Sequence, residues 1–148
     1  MKNLYKIFLF TSLIMPGLLS AQCKNFTKKK CFPSLENYVP SENYNSLSMF
    51  AGDTADLYMV FIANNDYRIV VCSHPVLGDV EYRVETENGL LVYSSEENES
   101  EKIFDFSTTN TEKLHLVISV PENEKSNSSS MVQTGCVSII VGSKESVN

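Results

Sequence analysis

The chain has 148 residues, and its 12 basic and 18 acidic side chains give a formal net charge of -6 at pH 7. A surface with this charge balance repels phosphate backbones, which disfavours nucleic acid as a partner. The length suits a single domain that can bury a sizeable hydrophobic core.

Residues 1–22 are predicted to be a cleaved secretory signal peptide. Lys2 and Lys6 precede a mostly apolar run, and small residues around Ala21 suit a signal peptidase. The apolar run is shorter than the roughly 20 residues that cross a bilayer, so no transmembrane segment is predicted. We therefore expect a secreted, periplasmic or cell-envelope protein.

Cys23 would be the first residue after cleavage, a position at which some exported proteins carry a lipid anchor. Lipoprotein signals resemble this arrangement, but they have glycine or alanine where this chain has Gln22. The sequence therefore disfavours a lipid anchor at Cys23.

Four cysteines follow the predicted cleavage site, and an even number in an exported protein indicates disulfide bonds. The alternation of side chains places Cys72 and Cys136 on the less apolar faces of two predicted strands. Opposed strand residues approach closely enough for a bridge, so the sequence favours Cys72–Cys136, with Cys23–Cys31 closing a short loop. The other two connectivities of four cysteines remain open.

Residues 23–46 are predicted to be irregular, with one helical turn at 33–39 that Pro40 ends. A β-sandwich domain is predicted at 47–142 and a flexible tail at 143–148. Its eight strands are predicted at 47–50, 57–63, 67–72, 80–87, 90–93, 103–106, 114–120 and 137–141.

Two turn signals divide the first half of the sandwich. Asn88-Gly89 is the strongest hairpin signal in the chain, and Asn64-Asn65-Asp66 is predicted to turn the strand at 57–63 into the next one. The strand at 57–63 is apolar on both faces, which predicts that its outer face is covered as well.

Eight short strands at roughly ten-residue spacing, with no helical stripe between them, predict an all-β fold with two antiparallel sheets. Its core should contain the apolar side chains that point inward from both sheets. These are Leu57, Phe61, Ile69, Val71, Tyr82, Val84, Phe104, Phe106, Leu116, Ile118, Val137 and Ile139.

The strand rhythm is set by Tyr-Arg-Ile-Val-Val at 67–71, Val-Glu-Tyr-Arg-Val-Glu-Thr at 80–86 and Asn-Gly-Leu-Leu-Val-Tyr at 88–93, then by Phe-Asp-Phe at 104–106 and Leu-His-Leu-Val-Ile-Ser-Val at 114–120. Over about residues 55–141 it resembles jelly-roll sandwiches such as the bacterial pre-peptidase C-terminal domain and the similar GOLD domain. The resemblance implies a non-catalytic accessory module that binds, or is carried by, a surface partner.

No catalytic residues are predicted. His74 and His115 are the only histidines, and the chain has no Gly-x-Ser-x-Gly motif to place a serine nucleophile. The leading hypothesis is a binding or structural module, and the alternative is a small secreted hydrolase or an enzyme inhibitor.

Acidic loop residues could bind calcium, either at 96–101 or through Asp53 and Asp56, although the spacing is not that of an EF-hand. No other metal or cofactor is predicted. No CxxC spacing supports a zinc or redox site.

The partner is predicted to be a protein or a glycan, bound by the loops at 73–79, 94–101 and 121–130, because loops on a rigid sandwich are where recognition is placed. A glycan would need exposed aromatic rings, and the chain has no Trp, which leaves Tyr38, Tyr44, Tyr58 and Tyr93. The candidate contact residues of the loops are His74, Asp79, Glu96, Glu97, Glu99 and Glu101.

Overall fold

The computed structural model describes residues 18–42, 44–97, 102–122 and 133–146. An α-helix, α1, spans Leu18–Lys30, and short 3-10 helices lie at Phe32–Leu35 and Pro75–Leu77. The strands are β1 Val39–Pro40, β2 Asn45–Phe50, β3 Thr54–Phe61, β4 Asn65–Ser73, β5 Glu81–Thr86, β6 Leu91–Ser94, β7 Ile103–Thr108, β8 Glu112–Ser119 and β9 Thr134–Glu145.

The strands form two antiparallel sheets. In sheet A the order is β1 and β2, then β9, β4 and β7, with β1 and β2 pairing with successive parts of β9. In sheet B the order is β3, β8, β5 and β6. From β2 onward, successive strands alternate between the sheets except at the β5–β6 hairpin, which is the strand order of a jelly roll. The predicted all-β sandwich is confirmed.

The core lies between the two sheets, and the alternation of the strands fills it. Nine of the predicted core side chains are buried there, while Leu57, Phe104 and Phe106 are partly buried and pack against them. Removing one such aliphatic side chain from water contributes about 1.5–3 kcal/mol, so this layer dominates the stabilisation of the fold. The predicted core is confirmed.

The structure confirms one of the two predicted turns as a hairpin and shows a different role for the other. Asn88-Gly89 closes the β5–β6 hairpin as predicted, and Gly89 adopts a φ of 79°, a left-handed conformation that glycine tolerates without strain. The chain also turns near Asn64-Asn65-Asp66, but it does so at 62–64, because Asn65 and Asp66 already belong to β4, and it passes from β3 in sheet B to β4 in sheet A. The two strands that it joins therefore do not pair with each other.

Helix α1 lies against the outer face of sheet A, and its residues 23–30 fall in the segment predicted to be irregular. A stripe of side chains at every fourth residue, Cys23, Thr27 and Cys31, faces the sheet. Thr27 is fully buried, and its Oγ1 lies 2.6 Å from the Oγ of Ser138 on β9. The same hydroxyl donates to the carbonyl of Cys23 at 2.8 Å. Sulfur and hydroxyl groups thus hold a helix that has no broad apolar face.

The chain after α1 continues this cover on sheet A. Leu35 is buried with Val70 and Ile140, which point outward from β4 and β9. Gly142 on β9 allows the close approach, because a Cβ atom there would lie 2.6 Å from the Cβ of Tyr38. The outer face of sheet A is therefore covered by the N-terminal part of the chain.

The disulfide bond joins Cys23 to Cys136, with a Cα–Cα distance of 5.4 Å, so both predicted pairs are wrong. Cys72 lies opposite Ser138 in the β4–β9 register, two residues away from the position that a bridge to Cys136 requires. Cys31 directly follows α1 and is eight residues after Cys23, or about 12 Å along the helix axis, which is too far for a bridge. The sulfur of Cys23 is thus engaged within the chain, and Cys31 and Cys72 are free thiols.

Both ends of the chain differ from the predicted domain limits. Strand β9 continues to Glu145, inside the predicted flexible tail, because it still pairs with β1 and β4 there. Of the predicted signal peptide, residues 1–17 lie outside the described residues, and residues 18–22 are the first part of α1.

Candidate functional site

The described parts of the three predicted contact loops lie at the same end of the sandwich. The backbone N–H of Val120 donates to the carbonyl of Asp53 at 2.9 Å, and that of His74 donates to Cys136 at 2.8 Å. Lys102 forms an ion pair with Asp79 across the loops that follow β4 and β6. We call the described loop residues 51–53, 74–80, 95–97 and 121–122 the acidic end.

The charge of the acidic end is mostly negative. Within the described ranges, Lys102 is the lysine that contacts this end, through its ion pair with Asp79, and its side chain is 32% exposed. Asp53 is engaged in its own turn, where it accepts a hydrogen bond from the N–H of Phe50 at 2.8 Å. The remaining described carboxylates here are those of Asp79, Glu96, Glu97 and Glu122, whereas the predicted contact residues Glu99 and Glu101 lie outside the described residues.

His74 has a structural role at this end. Its Nδ1 accepts a hydrogen bond from the N–H of Val76 at 3.3 Å and so caps the 3-10 helix at Pro75–Leu77. Its ring also contacts the ring of Phe26 on α1, with 6.0 Å between the centroids. His74 therefore joins the acidic end to the helix that covers sheet A.

No described segment of the chain covers the outer face of sheet B. Tyr58 and Val60 on β3 and Ile62 just after it are 57%, 65% and 63% exposed. The prediction that the outer face of the strand at 57–63 is covered is therefore wrong. We call this outer surface of sheet B, with its edge strands β3 and β6, the bare face.

His115 lies at the centre of the bare face, opposite Tyr58 in the β3–β8 register. The two rings stack with centroids 4.3 Å apart and an interplanar angle of 8°. Nε2 of His115 lies 2.8 Å from Oδ1 of Asp56, and Nδ1 lies 3.6 Å from Oε2 of Glu85. Each ring nitrogen therefore faces a carboxylate, and neither is placed to take a proton from a nucleophile.

Further ionic contacts fix the side chains around His115. Nε of Arg83 donates to Glu85 at 2.6 Å, and Nζ of Lys113 lies 3.4 Å from Glu87. Lys113 also lies 4.9 Å from the centre of the Tyr58 ring, a cation–π distance. The polar side chains at the centre of the bare face thus hold one another in place.

A shallow cavity joins the bare face to the acidic end. It is lined by residues of β5 and β8, among them Arg83 and Val117, and by Glu96 of the acidic end. Its volume of about 50 Å³ is far below the roughly 300–1,000 Å³ of pockets that hold small-molecule ligands. The surface here suits contact with another surface better than enclosure of a substrate.

Asp53 and Asp56, which the sequence proposes together for calcium, have separate partners. Asp53 accepts from the N–H of Phe50, while Asp56 contacts His115. Across the ranges that the structure covers, no three His, Cys, Asp or Glu side chains are grouped closely enough to hold a metal ion. The other predicted calcium segment, 96–101, lies mostly outside those ranges.

Within the described helices, none is both long and apolar enough to cross a membrane.

Sequence patterns did not reveal the His115 cluster. The alternation around Leu114 and Leu116 does predict that His115 points outward, and this is its position. Its partners come from β3 and β5, however, and the register of those strands with β8 is not written in a local pattern. The apolar residues at the outward positions of β3 were the sequence signal that could have indicated this surface. They were interpreted instead as residues covered by the rest of the chain.

No protein-family model matches the chain, and no curated protein matches it. Among solved structures, the chain is similar to the crystal structure of PliG from Aeromonas hydrophila, a periplasmic lysozyme inhibitor of g-type lysozyme. The similarity covers 74% of this chain and 90% of that chain, with 10% sequence identity and a TM-score of 0.49. At these values the likeness carries no conclusion about what this chain binds.

Proposed function

We propose that the protein is an exported, non-catalytic module that binds a protein partner through the bare face. The observation that carries the proposal is the contrast between the two outer faces of one sandwich. Sheet A is covered by the N-terminal part of its own chain, whereas sheet B exposes large apolar side chains.

The exposed apolar residues lie along both edges of the bare face. One row, Tyr58, Val60 and Ile62, lies along β3. A second row lies along β6 and just before it: Leu90, Leu91 and Val92, at 69%, 48% and 45% exposure. Single exposed apolar residues are ordinary, but rows of them beside polar groups mark interaction surfaces. A partner that covers these rows would remove them from water.

The polar centre favours a partner with basic groups beside its apolar ones. The cluster around His115 is already ordered by Asp56 and Glu85, so little side-chain freedom is lost when a partner docks. The adjoining acidic end and the net charge of -6 attract a positively charged surface.

A protein fits this surface better than a glycan. Three of the four candidate tyrosines are packed: Tyr38 against Arg68, Tyr44 against Phe32, and Tyr93 against core rings. Tyr58 is exposed, but its ring already contacts His115 and Lys113. A sugar would therefore find little free aromatic surface on which to stack.

A site-specific photo-crosslinking experiment tests the proposal. A photoreactive amino acid replaces Val60 on the bare face or, as the matched control, Val39 on β1, since the two valines are 65% and 67% exposed. The proteins are exposed to the envelope and secreted fractions of the native host and irradiated. We expect a discrete protein adduct at position 60 and none at position 39. Equal adducts at both positions, or an adduct at position 39 alone, would contradict the proposal.

A further inference from the structure

The free thiols Cys31 and Cys72 meet beneath the C-terminal end of α1. Cys31 is fully buried, and Cys72 packs against the cluster that Cys31 forms with Val70 and Ile140. Cys31, directly after α1, and Cys72, on β4, are thus side-chain neighbours that are 41 residues apart in the sequence.

The packing of α1 explains why these two residues meet. The stripe at every fourth residue places Cys23 over Cys136 and Thr27 over Ser138, both on β9. Cys72 lies directly opposite Ser138 on the neighbouring strand β4. One further helical turn therefore brings Cys31 to Cys72, as the first turn brings Cys23 to its bridge.

We propose that Cys31 and Cys72 form a second disulfide bond when the exported protein meets a disulfide oxidant. The middle of α1 would then be linked to β9 through Cys23, and the residue directly after its C-terminal end to β4 through Cys31, so the helix would be held on sheet A at two points. This pairing is neither of those that the strand pattern favours.

The bond forms by thiol–disulfide exchange with a small disulfide such as oxidised glutathione. The thiolate of Cys72 attacks one sulfur of the oxidant, which releases one glutathione thiolate and leaves a mixed disulfide. The thiolate of Cys31 then attacks the Cys72 sulfur and releases the second glutathione. The two cysteines lose two electrons and two protons in total, and the oxidant is reduced to two glutathione thiols.

Exposure and acidity favour this order of attack. Cys72 is only partly buried, and the hydrogen bond that it accepts from Cys31 lowers its pKa. The pKa of Cys31 is raised, first by its hydrogen bond to Cys72 and then by burial. Since the thiolate is the nucleophile, Cys72 is the residue that attacks the oxidant and Cys31 the one that resolves the mixed disulfide.

Thiol counting and peptide mapping test the bond. The full chain is incubated with oxidised glutathione, then denatured without reductant, alkylated and digested for mass spectrometry. We expect no alkylated cysteine and a peptide pair joined through Cys31 and Cys72. Alkylation of both residues, or bridges from either of them to Cys23 or Cys136, would overturn the proposal.

Single variants test the order of attack, with the Cys23–Cys136 bridge intact in each. In Cys31→Ser, the remaining Cys72 should accumulate a glutathione adduct, because nothing resolves it. In Cys72→Ser, the buried Cys31 should stay unmodified while the protein is folded. Adducts at Cys31 but not at Cys72 would overturn the assigned roles. Circular dichroism confirms that each variant is folded before the adducts are compared.

Discussion

Arg68 is the residue that ties the N-terminal cover to sheet A by charge. Its guanidinium makes two bonds of 2.7 Å to the carboxylate of Asp105 on β7 and lies 2.9 Å from Glu36. It also donates to the carbonyl of Ser34 at 3.0 Å. Hydrogen bonding to Asp105 is the main reason that the pKa of Arg68 is raised. The planar fork of arginine serves all these partners at once.

Replacing Arg68 with lysine should therefore destabilise the protein, because an ammonium group cannot bind Asp105 at two points. We expect Arg68→Lys to lower the free energy of unfolding by about 1–2 kcal/mol in urea titrations. The matched control is Arg83→Lys, since Arg83 is 50% exposed and its ion pair with Glu85 is of the kind that contributes about 0–1 kcal/mol. Equal losses in the two variants would refute the special role of Arg68.

Asp66 should make the stability of the fold depend on acid pH. Hydrogen bonds from Ser107 at 2.6 Å and Ser146 at 2.7 Å lower the pKa of its carboxyl group below the ordinary 3.8. A lowered pKa in the folded state contributes stability above the pKa of the unfolded chain, and this contribution disappears as the pH falls through the folded value.

The wild-type protein should thus lose more stability on acidification below about pH 4 than the variant Asp66→Asn, which has no carboxylate to protonate. Urea unfolding at a series of pH values measures the difference, and an NMR titration of the Asp66 carboxyl carbon measures its pKa directly. Parallel pH profiles for the two proteins would show that Asp66 does not contribute in this way.

At the scale of the element, α1 is attached by a few specific groups. Thr27 is its central contact, with hydrogen bonds to Cys23 and to Ser138. We expect Thr27→Val to cost about 1–3 kcal/mol in chemical denaturation, because the change removes the two buried hydrogen bonds that the hydroxyl makes to Cys23 and Ser138. The exposed Thr54, at the start of β3, provides a matched control, and Thr54→Val should change stability by no more than about 0.5 kcal/mol. A Thr27→Val variant as stable as the control would contradict the polar attachment.

The strands were predictable from the sequence because each buries one face, and burial of one face produces alternation. Helix α1 was not predictable in this way, because its buried side chains are cysteine and threonine. Apolar residues therefore do not recur every 3.6 positions along it. The bridge to Cys136 depends on this helix, and a pairing that considers the strands alone chooses Cys72. Both errors have the same source, a contact between distant elements that local patterns do not encode.

Local sequence patterns also predicted only part of the candidate site. The loops at 73–79, 94–101 and 121–130 were predicted because turn residues separate alternating strands, and their described parts do lie at one end. The two-sided apolar pattern of β3 was read as burial within the chain, yet Tyr58 and Val60 are exposed. In our proposal these apolar side chains are buried after all, because the surface that covers them belongs to a partner.

At the scale of the whole molecule, the jelly roll has one outer face covered by α1 and the segment after it, while no described segment covers the other. A disulfide bond between Cys23 and Cys136, which are 113 positions apart, joins this cover to sheet A. The cover is therefore part of the fold. The open face has apolar edges around an ordered polar centre, beside an end rich in carboxylates. In our proposal, this division leaves sheet B as the surface for recognition.

The most direct test of this account is the affinity of the partner captured at position 60 for two valine variants. Val60→Glu places a charge on the bare face, whereas Val39→Glu places the same charge at an equally exposed position on β1. We predict that Val60→Glu weakens binding at least about tenfold, or about 1.4 kcal/mol, and that Val39→Glu leaves the Kd within about twofold of the wild-type value. Unchanged binding by Val60→Glu, or an equal loss in both variants, would contradict the account.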